Sequence, residues 1–243
     1  MTSFLASYPT FGTKNNRLPP SQYERSPYYW WFEYLRRNAD YIKCCEANGK
    51  TKLSKLYEDF GDVRDVEFRV WWNKENRGTQ LFGEKKFDIK FEELIDKSQW
   101  NEEWQTEDVL IVSVPLEHSK RTLQKWFASL LKRRHTGKRG RTAKKWSKST
   151  AKYPINRNYT IASLRTALEV YDEYEENLSR GEDKLKIWEM GVKLKLVQSA
   201  MPKSTDTKED RLVKRNVMAA TVVRYHKQAQ KIIEGTSKGL FPN

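Results

Sequence analysis

Fifteen lysines and arginines lie between residues 118 and 168, and no aspartate or glutamate lies among them. They are Lys120, Arg121, Lys125, Lys132, Arg133, Arg134, Lys138, Arg139, Arg141, Lys144, Lys145, Lys148, Lys152, Arg157 and Arg165. The whole chain holds 46 basic and 32 acidic side chains, so 31 basic residues face 32 acidic ones outside the block and its net charge of +14 resides inside it. A localised cationic block neutralises phosphates and releases their counterions, which gives affinity for a strand without reading its sequence. Trp146 and Tyr153 interleave with Lys144, Lys145, Lys148 and Lys152. Rings set among cations offer a base a stacking surface, worth about 1–3 kcal/mol per base. Trp146 and the cations of the block other than Arg165 are therefore the candidate nucleic-acid contacts, and the exposed part of the block runs from about 120 to 157.

Competing chemistries leave weaker traces. Glu58, Asp59, Asp62, Asp65 and Glu67 form the one acidic cluster that could hold Mg²⁺ as a metal-dependent nuclease does. They surround Gly61, where aspartates cap helices and turns. His118, His135 and His226 have no partner at metal-ligand spacing. No phosphate-cradling glycine loop and no nucleophile elbow is present. The sequence thus points to a non-enzymatic protein with no cofactor and no metal. A second reading starts from the flanks of the block. Residues 91–117 carry a net −7 and residues 169–183 a net −6. Segregated charge of this kind also suits protein docking, as in a phage-type scaffold or capsid-associated protein that self-associates or meets an acidic partner.

Two short stretches carry a resemblance. Lys138, Arg139, Gly140 and Arg141 are similar to the arginine–glycine–arginine core of AT-hook peptides, whose arginines enter a narrow minor groove. Thr142 stands where that motif has proline. DNA is accordingly the preferred partner over RNA. Residues 31–41 resemble a tryptophan-bearing helix of bacterial proteins of the transcriptional-regulator kind; no function is carried over from them. No helix-turn-helix is legible.

The elements that must position these residues read as mostly α-helical. Residues 1–26 form an arm. An aromatic-rich region spans 27–117, opening on a helix with Ser26 as N-cap and Pro27 in its first turn. Tyr28, Trp31, Phe32 and Leu35 share one of its faces, which Tyr41, Cys44 and Cys45 extend. Helices follow over 52–60 and 66–72, with a turn at 76–78. The tryptophans read as core because of their helical spacing. Residues 107–114 are the strand candidate, stopped by Pro115. The basic helix and loop span 118–158, with a helix over 119–135 whose apolar stripe is Leu123, Trp126, Phe127, Leu130 and Leu131. A three-helix region spans 159–243, with a last helix whose buried side reads as Leu212, Val213, Val217, Ala220, Val223 and Ile233. The adjacent Cys44 and Cys45 read as free buried thiols of a reducing compartment. No segment has the 18 or so apolar residues of a membrane span, and residues 1–16 lack the pattern of a signal peptide. A cytoplasmic protein is expected, in a host cytoplasm if viral, with no membrane partner.

Overall fold

The computed structural model describes residues 4–84, 96, 110–134, 149–156 and 159–242. These are mostly helical. In chain order the helices are α1 (Pro20–Tyr23), α2 (Pro27–Leu35), α3 (Ala39–Glu46), α4 (Ser54–Phe60), α5 (Phe68–Asn73) and α6 (Arg77–Phe82). Then come α7 (Lys120–Arg134), α8 (Ile161–Ser179), α9 (Ile187–Lys193) and α10 (Lys208–Thr236). The chain divides into two units. One comprises Met1–Lys85 with Trp146–Asn243, and the other is Lys86–Lys145.

The first unit is organised around α2. Ser26 accepts a hydrogen bond from the Tyr28 N–H at 3.3 Å, and Pro27 supplies the first turn. Seven of the nine residues of α2 are buried, so the helix runs through the core rather than along its surface. The apolar pattern continues past residue 35, but the helix does not. Asn38 restarts the chain as α3, accepting from the Tyr41 N–H at 3.0 Å and donating to the Ile233 carbonyl at 2.6 Å. A buried amide that must be satisfied favours a cap over a continuous helix. The tryptophans are core as expected, with Trp30, Trp31, Trp71 and Trp72 all buried. The predicted turn at 76–78 is instead the start of α6. Gly78 is helical and lies under the Trp72 ring, where a Cβ would meet Trp72 Cε2 at 2.2 Å.

Two expected boundaries disappear. Residues 27–82 and 155–241 share one core. The Tyr34 hydroxyl donates to the Leu164 carbonyl at 2.9 Å, and the Phe241 ring stacks on Trp31 at 5.2 Å. A parallel bridge joins Ile155 to Phe241. The described part of the 1–26 arm lies on the same core: Phe11 is buried 5.8 Å from the Phe68 ring, and the Ala6 N–H donates to the Tyr28 hydroxyl at 3.3 Å. Aromatic side chains in the arm find aromatic partners, so it is packed rather than loosely held.

At the C-terminal end, Thr160 caps α8 through the Ser163 N–H at 3.1 Å. The middle helix of the expected three is the short α9, and a left-handed Lys195 follows it. Thr207 and Asp210 form a reciprocal capping box that opens α10. The buried face of α10 differs from the predicted one. Met218, Thr221, Val222, Ala229, Ile232 and Ile233 are buried, while Leu212, Val213, Val217, Ala220 and Val223 are exposed. The partner helices choose the face. Gly191 of α9 lets α10 approach so closely that a Cβ there would lie 3.1 Å from Met218 Cβ and 3.2 Å from Val222 Cγ2. The strand candidate is also corrected. Residues 110–114 are in no strand, and Leu110, Ile111, Val112 and Val114 are exposed. A β-branched run becomes a strand only where a second edge pairs with it. Residues 107–109 lie outside the described residues.

Candidate nucleic-acid interface

The basic helix forms where the sequence places it. Ser119 accepts from the Thr122 N–H at 3.3 Å, and the Leu123 N–H donates to the Ser119 carbonyl at 3.1 Å, so α7 starts on a side-chain cap. Lys132, Arg133 and Arg134 close its last turn, where cations complement the carbonyl end of the helix dipole. Arg121, Lys125 and Lys132 fall at i, i+4 and i+11 on one face. At 1.5 Å per residue they span about 16 Å, or roughly five base steps at about 3.4 Å each.

The electrostatic state of α7 is its distinguishing property. Lys120, Arg121, Lys125, Lys132, Arg133 and Arg134 are all exposed, and none has an ion pair among the described residues. The expected apolar stripe is only partly covered. Leu123, Phe127 and Leu130 are half-buried, while Trp126 is 51% exposed and packs edge-on against His118 at 4.8 Å. Leu131 is exposed as well. Trp126 was read from its spacing as a core residue. In the structure it is an accessible ring beside cations, and the sequence carries no signal that separates those two fates.

The rest of the candidate set divides. Lys138, Arg139, Arg141, Lys144, Lys145, Trp146, Lys148 and Arg157, with His135, lie outside the described residues. Lys152 is described and already used: its Nζ donates to Asp59 Oδ1 at 2.5 Å. Tyr153 is not a free stacking surface. Its ring meets Phe60 edge-on at 4.9 Å and its hydroxyl donates to Asp59 Oδ2 at 2.6 Å. Burial, helped by that carboxylate, holds the phenol well above its ordinary range.

The same segment shows where the chain leaves and re-enters the first unit. The buried Glu84 accepts from Ser149 Oγ at 2.6 Å and from the Thr150 N–H at 2.8 Å. The Tyr153 N–H then donates to the Leu81 carbonyl at 3.0 Å. The chain leaves the first unit and re-enters it at adjacent points, the arrangement of an inserted unit. Helix α7 lies in the second unit, Lys86–Lys145.

The acidic cluster of the nuclease reading does not converge. Asp59 serves Lys152 and Tyr153, while Asp62 holds Arg64 through a 2.6 Å pair and has its carboxyl pushed below the ordinary range by that contact. Among the described residues no group of three histidines, cysteines or carboxylates is arranged to hold a metal ion. The acidic run on α8 is partly occupied. Asp172 takes Arg37 in a two-pronged pair at 2.6 Å, and buried Glu173 lies between Arg180 at 2.9 Å and Lys193 at 2.5 Å. Cys44 and Cys45 are free and buried, as expected.

One further basic locus gave no signal in the sequence, because its residues alternate with acids and apolar side chains. Lys203, Arg211, Lys214 and Arg215 line a concavity of about 180 Å³ together with Trp188, Val192, Ala200, Pro202, Asp206 and Met218.

Compared with known proteins, the chain matches no family model, no curated protein and no solved structure. No helix among the described residues is long and apolar enough to cross a membrane.

Proposed function

We propose that the protein binds nucleic acid, DNA in preference to RNA, through phosphate contacts made by α7 and by the cations of residues 138–157. In this reading it is a non-enzymatic regulatory or architectural protein of bacterial or phage type. One observation carries it: six cations on one capped helix are exposed and have no ion pair among the described residues. Unneutralised like charge on a 15-residue helix repels itself, and a polyanion relieves that repulsion. The half-exposed Trp126 adds a ring on which a splayed base can stack. Lys152 drops out of the contact set, since Asp59 holds it.

The test is fluorescence anisotropy of a labelled duplex and a labelled single strand against the full chain, from about 50 to 200 mM salt. The expected result is tight binding at the low end and a steep linear fall of log K with log salt. Absence of binding to either strand form at the low end would overturn the reading.

A second reading, a structural protein that assembles with itself, draws on the uncovered stripe of α10. Leu212 and Val213 are 60% and 61% exposed, with Val217, Ala220 and Val223 continuing the same side. Exposed apolar stripes of this kind occur at protein interfaces. Sedimentation without nucleic acid separates the two: a concentration-dependent oligomer abolished by Leu212→Ser and Val213→Ser supports assembly, and a persistent monomer removes it.

A further inference from the structure

We propose that the concavity between α9 and the start of α10 is a binding site for a phosphorylated planar ring of the mononucleotide kind. This site is separate from α7 and does not rest on the reading given to that helix. Its charge is organised in two layers. The deeper layer is already neutral. Asp206 accepts from Lys214 Nζ at 2.5 Å and from the Lys203 N–H at 2.7 Å, and Lys214 also donates to the Met201 carbonyl at 3.2 Å. The side chains of Lys214 and Asp206 are 19% and 7% exposed, so this pair braces the wall rather than offering itself to a ligand. Lys214 and the surrounding donors push the Asp206 carboxyl below its ordinary range, which keeps it ionised and matched.

The outer layer is cationic and unmatched. Lys203, Arg211 and Arg215 line the same concavity and have no ion pair among the described residues. Arg211 and Arg215 stand one turn apart on α10, so their guanidinium forks emerge on one side. Such forks fit the oxygens of a phosphate, and each bond to that anion is charge-assisted. The guanidinium carbon of Arg215 lies 4.6 Å from the centre of the Trp188 ring. That contact lays the guanidinium against an aromatic face and limits its rotation before any ligand arrives. Bases stack on indole rings and on arginine planes alike. Val192, Ala200, Pro202 and Met218 supply an apolar floor. The volume of about 180 Å³ lies below the range of about 300–1,000 Å³ that encloses a whole drug-sized ligand. It admits one ring or one phosphate group and leaves the remainder of the molecule outside. A free mononucleotide and the terminal nucleotide of a strand present the same chemistry here.

The test is calorimetric titration of the full chain with adenosine 5′-monophosphate, adenosine and inorganic phosphate. The nucleotide is expected to bind, with adenosine and phosphate each at least about tenfold weaker, and with R211Q and R215Q each weakening the nucleotide about tenfold. Both substitutions are at exposed positions, so loss of fold does not stand in for loss of binding. Competition by a short strand bearing a 5′-phosphate, absent for its unphosphorylated twin, assigns the site to strand ends. Nucleotide binding without such competition assigns it to the free nucleotide. Removing the α7 cations is expected to leave nucleotide affinity unchanged, whatever becomes of strand binding. No saturation by the nucleotide up to about 10 mM, equal affinity for phosphate and nucleotide, or unchanged affinity in R211Q and R215Q would each overturn the site.

Discussion

Two helices carry concentrated charge of opposite sign, and the fold treats them differently. On α8 three of the five acids are structural. Asp172 ties the helix to Arg37 near the end of α2, and Glu173 and Glu176 hold Arg180 while Glu173 reaches Lys193 on α9. On α7 the cations are exposed and have no such partners among the described residues. In sequence the two runs look equivalent, a −6 stretch beside a +15 block, and mutual neutralisation reads as plausible. The structure separates them. Charge that is paired across elements fixes a packing arrangement, whereas charge left without partners is available to a ligand.

The largest expected effect tests the unpaired side of this contrast. Replacing Lys120, Arg121, Lys125, Lys132, Arg133 and Arg134 by Gln should weaken strand binding by about a thousandfold or more near 50 mM salt. It should also flatten the slope of log K against log salt by about five units. The thermal midpoint should move little, because no ion pair among the described residues is lost. A large fall in the midpoint would show that the cations are structural after all.

Next in size is the paired side. Glu173→Ala removes a 7% exposed carboxylate from between two cations and should cost about 2 kcal/mol, or roughly 4–8 °C in thermal midpoint. Strand affinity should not change. A comparable cost, about 1–3 kcal/mol, is expected of Gly78→Ala, because the new Cβ meets the Trp72 ring at 2.2 Å. Both are read by thermal or urea unfolding. Asp172→Asn should fall within about 1 kcal/mol, since Asp172 and Arg37 are 45% and 27% exposed and water screens them.

The smallest effect is a pH dependence. His226 packs against Tyr174 at 4.0 Å and Tyr171 at 5.7 Å, and burial pushes its imidazole below the ordinary 6.5, against the weaker upward pull of Glu175 at 3.8 Å. The unfolded chain therefore takes up this proton at higher pH than the folded one. Stability should fall as pH drops through about 6.5 and level off below the folded value. A His226→Gln variant should lose that part of the pH profile in calorimetric unfolding; an unchanged profile would assign the dependence to other groups.

Much of this was legible from local rules. Ser26 caps α2 where expected, and Ser119 and Thr160 cap α7 and α8 by the same rule, because a cap needs only its own side chain and the next turn of backbone. The aromatic spacing around Trp31 and Trp71 marked the core, because burying large rings dominates the free energy of a small domain. The misreadings share one cause. The face of α10, the fate of Tyr153 and the break at Asn38 all depend on partners more than 90 residues away in the chain or on another helix.

The sequence by itself determined the helical class, the caps, the identity of the core aromatics and the position of the cationic block. These follow from side-chain type and short-range spacing. Tertiary structure alone decided that Asp172, Glu173 and Glu176 of α8 pair within the fold, that Lys152 and Tyr153 both bond Asp59, and that Trp188 meets Arg215 in a concavity. It also decided that Glu84 is bonded by Ser149 and Thr150. The physical reason is common to all four. Whether a charge or a ring is free depends on what the rest of the chain brings within hydrogen-bonding or van der Waals reach, and no short-range pattern encodes that.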